Sequence, residues 1–171
     1  MQNKGFTIIE MMVVVTLFSI LVAAASGLFV SSLKIQRTSL AVQELLDQSS
    51  YSMEYMTRAL RMARKDLDGS CTGTSNLNYA FVGQCIYFRS YSDTCQEFCL
   101  EGTVLKDIND VELTSDNIKV MSFDVILSGQ VQPPADFLQP RTTLFLNVLG
   151  KENSHINLQA TVSQRNLDIR R

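Results

Sequence analysis

Few residues in this sequence have a type and spacing suited to chemistry. The chain of 171 residues holds four cysteines (Cys71, Cys85, Cys95 and Cys99), one histidine (His155), an acidic run at Asp107, Asn109, Asp110 and Glu112, and a single acid, Glu10, beside a long apolar stretch. A zinc site asks for tighter C-x-x-C pairs than one C-x-x-x-C and two separated cysteines provide. The acidic run has ligand-like oxygen spacing but lacks the glycine and the twelve-residue loop of an EF-hand. A solvated turn is its plainer reading and calcium the alternative. His155 falls beside a turn with no nucleophile or base near it in sequence. There is no G-x-S-x-G, no phosphate loop and no dinucleotide fingerprint. The expectation is a chain with no catalytic residues, no metal and no cofactor. A net charge of −2 provides no basic field for nucleic acid.

Glu10 is the residue that demands an explanation. It stands at the head of a run from Met11 to Val30, 20 residues without a charge. That run exceeds the roughly 7–15 residues of a secretory signal core and matches the ~20 needed to span a bilayer. A cleaved signal, with Ala23-Ala24-Ala25 as its small-residue site, and a plain signal anchor are the two simpler readings. Neither gives the carboxylate a role. An acid at a membrane helix centre costs about 2.5–3.5 kcal/mol on insertion scales and marks a functional site by default.

The segment Lys4-Gly5-Phe6-Thr7-Ile8-Ile9-Glu10 and the apolar run behind it resemble the signal of type IV prepilins and type II secretion pseudopilins. The match is residue by residue: the basic leader residue Lys4, the pre-cleavage Gly5, the new N-terminal Phe6, and Glu10 four residues on. The resemblance implies cleavage between Gly5 and Phe6 by the membrane prepilin peptidase, N-methylation of Phe6, and pairing of Glu10 with the Phe6 ammonium of a neighbouring subunit. Two unit charges ~4 Å apart attract by ~4 kcal/mol at an effective dielectric of ~20, a gain available only on assembly. Major pilins carry a helix-breaking proline where this chain has Gly27. That departure points to a minor pilin-like subunit rather than the main building block. The specific resemblance covers residues 1 to about 35.

These residues must be positioned by the elements that follow. The organisation expected is a leader at 1–5, a transmembrane and assembly helix at 6–33, and an extracytoplasmic α+β domain at 34–171. No proline or glycine interrupts Leu28 to Asp68, so the helix continues through 34–68 and becomes amphipathic. Val42, Leu46, Ser49, Met53, Met56, Leu60, Ala63 and Leu67 recur at alternating steps of four and three, a stripe suited to packing on a sheet. Arg58, Arg61, Arg64 and Lys65 form a basic end that complements the helix dipole. Gly69 is the expected helix stop. Strands are expected at about 79–89, 98–105, 118–127, 142–149 and 156–164, with a bulge near Met121. All three prolines, Pro133, Pro134 and Pro140, fall in one loop. In the last strand Ile156, Leu158, Ala160 and Val162 alternate with Asn157, Gln159, Thr161 and Ser163, the pattern of a sheet wet on one side. A long helix followed by antiparallel strands is an α+β, pilin-like class.

On the exported, oxidising side of a membrane, four cysteines favour two disulfides. A hairpin turning near Tyr91–Asp93 puts Cys85 opposite Cys99 and leaves Cys71 for Cys95. The local alternative, Cys71–Cys85 with Cys95–Cys99, is preferred because Cys95 and Cys99 can close a small loop. The positive-inside count does not orient the helix, since Lys34 and Arg37 flank its far end. The resemblance places the N-terminus in the cytoplasm. It also supplies the expected partners: prepilin peptidase, other pilin or pseudopilin subunits, an inner-membrane assembly platform and membrane lipid. The expected function is a structural subunit of a pilus-like or secretion-like filament. The alternative is a membrane-anchored extracytoplasmic binding domain that never polymerises.

Overall fold

The computed structural model describes residue 5 and residues 7–130 and 138–165. Lys4, Phe6, Pro133, Pro134 and the terminal arginines lie outside the described residues. One helix, α1, runs Ile8–Arg61. Seven strands follow: β1 (Tyr79–Val82), β2 (Cys85–Arg89), β3 (Cys95–Glu101), β4 (Val104–Asp107), β5 (Lys119–Ser128), β6 (Arg141–Leu149) and β7 (His155–Ser163). They form two antiparallel sheets, one in the order β1-β2-β3-β4 and one in the order β5-β6-β7. The chain is α+β, a long helix with antiparallel sheets packed on it, a pilin-like architecture. It divides into two compact units, Met1–Leu40 and Ala41–Arg171.

In the first unit every described residue is exposed within the chain. The helix nevertheless leaves few of its own polar groups unmet. The hydroxyls of Thr16, Ser19, Ser26 and Thr38 donate to carbonyls three or four residues earlier, Val13, Val15, Val22 and Lys34. Such back-bonding lets a hydroxyl sit in an apolar medium without an external partner. This is the one described helix long and apolar enough to cross a membrane.

In the second unit the helix is amphipathic. Ala41, Leu45, Ser49, Ser52, Met53, Met56 and Leu60 are buried, and Leu45, Met53, Met56 and Leu60 pack in one core with Phe88, Phe98, Phe123, Leu144 and Leu146. The expected stripe is right from Ser49 to Ala63; Leu67, 60% exposed, lies past the end of the helix. The stripe drifts towards its N-terminal end, where Ala41 and Leu45 are buried and Val42 and Leu46 are each 38% exposed. Alternating steps of four and three repeat every 3.5 residues. A straight helix repeats every 3.6, so the true stripe needs more steps of four.

The helix stops at Arg61, not near Asp68. No local glycine ends it; tertiary partners do. The last carbonyls of a helix need donors from outside it. Here the Tyr79 hydroxyl donates to the carbonyl of Leu60 at 2.8 Å and the N–H of Arg165 to that of Arg61 at 2.8 Å; just past the helix, the Gln164 side-chain amide donates to the carbonyl of Ala63 at 2.7 Å. Burial pushes the Tyr79 phenol above its ordinary pKa, so it stays a donor. The chain then runs extended beside β2, with the Arg64 N–H donating to the Arg89 carbonyl. Gly69 (φ +76°) serves the following turn instead, where a Cβ would lie 2.8 Å from the backbone N of Ser75.

Two expected strands are each a hairpin. Residues 79–89 fold back at Gly83-Gln84, with φ of +60° and +67°, the two-residue turn whose twist suits a hairpin. Residues 98–105 belong to β3 and β4, joined at Gly102-Thr103 with φ of +63° at the glycine. The expected bulge is present as a register shift between Val120 and Ser122. The final strand alternates as expected, with Asn157, Gln159 and Thr161 exposed and Val162 buried.

Candidate functional site

The segment that carries the candidate chemistry opens α1. The Glu10 backbone N–H donates to Thr7 Oγ1 at 3.3 Å, and the Met11 N–H to the Thr7 carbonyl at 3.2 Å. Thr7 is therefore an N-cap, with Glu10 at the N3 position of a T-x-x-E capping box. The capping role of Thr7 was legible in that spacing but is absent from the reading of the signal. The cap, two residues past Gly5, fixes the start of the helix at Ile8. It puts the Glu10 carboxylate at the positive end of the helix dipole, where an acid is favoured. Glu10 is exposed and, among the described residues, has no cation within ion-pair distance. Ile8, Ile9, Met11 and Met12 around it are also exposed. Among the described residues, the structure thus presents an exposed carboxylate without a cation beside it, on an uncovered apolar helix.

The cysteines pair as Cys71–Cys95 and Cys85–Cys99. The preferred local pairing is wrong for a geometric reason. Cys95 and Cys99 lie on one strand four residues apart, about 13 Å at the strand rise, well beyond the ~7 Å limit for a bridge. Cys85 stands directly opposite Cys99 in the β2–β3 register, with Cα atoms 4.1 Å apart. Cys71 brings the loop after the helix onto the start of β3. Thiol titration of the unreduced, denatured chain should find no free thiol, and peptide mapping should recover these two pairs. Replacing Cys71 and Cys95 together by serine is expected to cost about 2–4 kcal/mol in denaturant unfolding.

Asp66 secures the same loop. It is fully buried, and its Oδ2 accepts from the N–H groups of Cys71 (2.9 Å) and Thr72 (2.8 Å) and from the Thr72 hydroxyl (3.0 Å). Its Oδ1 accepts from Arg89 at 3.1 Å, and Arg89 also reaches Asp68 and Ser70. Burial alone would raise the Asp66 pKa. The donors, Thr72 N–H foremost, outweigh it and hold the carboxyl well below the usual range.

The other singled-out residues are accounted for within the fold. In the acidic run, Asp107 Oδ1 accepts from the N–H groups of Asn109 and Val111, a turn-closing role. Asp110 pairs with Lys106 at 2.6 Å, and Lys106 also meets Glu101 at 2.9 Å. These bonds, Asp110 first, hold the Lys106 pKa above its ordinary value. Among the described residues no group of three His, Cys, Asp or Glu is placed to hold a metal ion. At the basic helix end, Arg58 pairs with Glu54 and Arg64 with Asp93. His155 is exposed at the start of β7.

A family model, the prokaryotic N-terminal methylation motif, matches residues 1–26. The chain carries a type IV prepilin-like signal joined to an α+β domain. No curated protein and no solved structure matches the chain. The motif belongs to pilin- and pseudopilin-like precursors, whose role is structural, and with the apolar helix it fits a single-pass, membrane-anchored chain.

Proposed function

We propose that this chain is a minor pilin or pseudopilin: a structural subunit of a type IV pilus-like or type II secretion-like filament. The prepilin peptidase cuts between Gly5 and Phe6, and the new Phe6 amine is methylated. The helix first holds the subunit in the inner membrane, with the second unit outside. An assembly platform then moves it into a filament, where apolar helices replace lipid as its neighbours. Glu10 of one subunit meets the Phe6 ammonium of the next.

The observation that carries this reading is the exposed Glu10 carboxylate on an exposed apolar helix, within a matched methylation motif. A carboxylate that costs energy in lipid, with no cation beside it among the described residues, is accounted for by one supplied by a second copy. The test is the mass and first residue of the mature protein. A chain beginning at N-methylated Phe6 is expected. An intact Met1, or a new end near Ser26, would overturn the proposal and leave a simple anchor or a cleaved signal.

A further inference from the structure

Two surfaces of the second unit carry opposite charge. The first is a cleft of about 290 Å³ just past the helix end, lined by Met62, Arg64, Tyr91 and Arg165. Arg61 adjoins it, since its carbonyl accepts from the Arg165 N–H. Asp93 holds the Arg64 guanidinium at 3.0 Å. Among the described residues no acid pairs with Arg61, Lys65 or Arg165. Cations gathered at one cleft repel, and a carboxylate entering it relieves them. The other walls are the Met62 thioether and the Tyr91 ring, both exposed. The cleft therefore fits a carboxylate carried beside an apolar side chain, with a guanidinium to receive it.

The second surface has that chemistry. The turn after β4 shows exposed Ile108 and Val111 beside exposed Asp110 and Glu112. Asp110 already meets Lys106, whereas Glu112 makes no ion pair among the described residues. The turn is closed by its own backbone. The Asp107 N–H donates to the Val111 carbonyl at 3.1 Å, and the Asp110 N–H to the Asp107 carbonyl at 3.0 Å. A turn so closed has little left to order on docking. It does not serve the cleft of its own chain. Ser52 holds the segment behind the turn, donating to the Leu113 carbonyl, and Met62 comes ten residues later. At the helical rise that is about 15 Å along the helix.

We propose that this turn of one copy docks in the cleft of a second copy, with Glu112 against Arg165 and Val111 against Met62 and Tyr91. Charge and apolar surface then match on both sides of one contact. Each copy uses two different surfaces, so the contact is heterologous. It needs no twofold axis, repeats in one direction and can build an open array. The contact lies wholly in the second unit. Its setting rests on the proposed function, because a filament is what holds copies side by side.

Two differently tagged full chains, one with Met62→Cys and one with Val111→Cys, are mixed in detergent micelles under mild oxidation. All four native cysteines are bridged, so the introduced thiols are the only free ones. The mixed dimer is expected about five-fold or more above either like dimer. Arg165→Glu in the first chain, or Glu112→Arg in the second, should lower its yield about five-fold. The two reversals together should restore it, which damaged folding could not do. Mixed dimers no more abundant than like ones, a yield indifferent to either reversal, or no recovery with both would refute the contact. Removing residues 166–171 should leave the yield as it was. A several-fold rise would assign the cleft to the chain's own end and overturn the proposal. None of these readouts depends on cleavage at Gly5. A chain that is cut there but forms no mixed dimer sinks this contact alone, and a mixed dimer from a chain that keeps Met1 sinks the filament reading alone.

Discussion

A chain carrying Glu10→Ala is expected to be cut and inserted as the parent is, yet to enter filaments poorly. The two halves of this expectation have separate causes. In the membrane the substitution removes a carboxylate from an exposed apolar helix. Insertion should not suffer, and any gain stays well under the about 2.5–3.5 kcal/mol an acid costs at a helix centre, because Glu10 lies in the first turn. The proposed cleavage is at Gly5, and helix initiation depends on the Thr7 hydroxyl and the Glu10 backbone N–H, both of which survive. Assembly loses an attraction of ~4 kcal/mol at ~4 Å and an effective dielectric of ~20. Even a third of that is about ten-fold in partition between membrane and filament. The measurement is the fraction of processed subunit recovered with sheared filaments against that left in membranes. Glu10→Asp, which keeps the charge on a shorter stem, should fall between parent and Glu10→Ala. Parent-like incorporation of Glu10→Ala would remove the charge-pairing role while leaving the cleavage assignment standing.

The sequence was most informative where structure is decided locally. The apolar run, Glu10 and the alternation of the last strand are patterns over neighbouring residues, and each keeps its place in the structure. Thr7 was just as local, a T-x-x-E box hidden inside a signal read for other reasons. The helix end was not legible, because its stop is made by Tyr79, Gln164 and Arg165, up to about a hundred residues away in the chain. Gly83 and Gly102 were readable as turns but were absorbed into strands, since the alternation resumes with the right residue types on each side. Cysteine pairing depended on that same hairpin. Once β2 and β3 are set in register, Cys85 faces Cys99 and the local alternative is geometrically impossible. Asp66 carried no sequence signal at all. It is one of several acids near the basic helix end, and only the fold buries it.

That burial makes loss of Asp66 strongly damaging to the second unit. Asp66→Ala strips the buried acceptor from the N–H groups of Cys71 and Thr72, and leaves Arg89, with a side chain only 19% exposed, with Asp68 and the Ser70 hydroxyl as its remaining partners in this loop. Each buried donor left unsatisfied costs about 1–3 kcal/mol, a large share of the ~5–15 kcal/mol that holds a domain together. Asp66→Asn should cost less, since its amide oxygen still accepts from the loop, but it loses the charge that Arg89 meets. The same residue predicts how stability follows pH. The folded carboxyl titrates well below the usual range, so the unfolded chain binds the proton first as pH falls. Its stabilisation is therefore fully present above an ordinary aspartate pKa of about 3.9 and is lost progressively below it. Denaturant midpoints measured from pH 6 down to pH 2 should drop steeply in the parent below about pH 4 and more gently in Asp66→Asn. Parallel curves would show that Asp66 is not linked to folding through its charge. If Asp66→Asn were also as stable as the parent at pH 6, the loop would be held by the Cys71–Cys95 bridge alone.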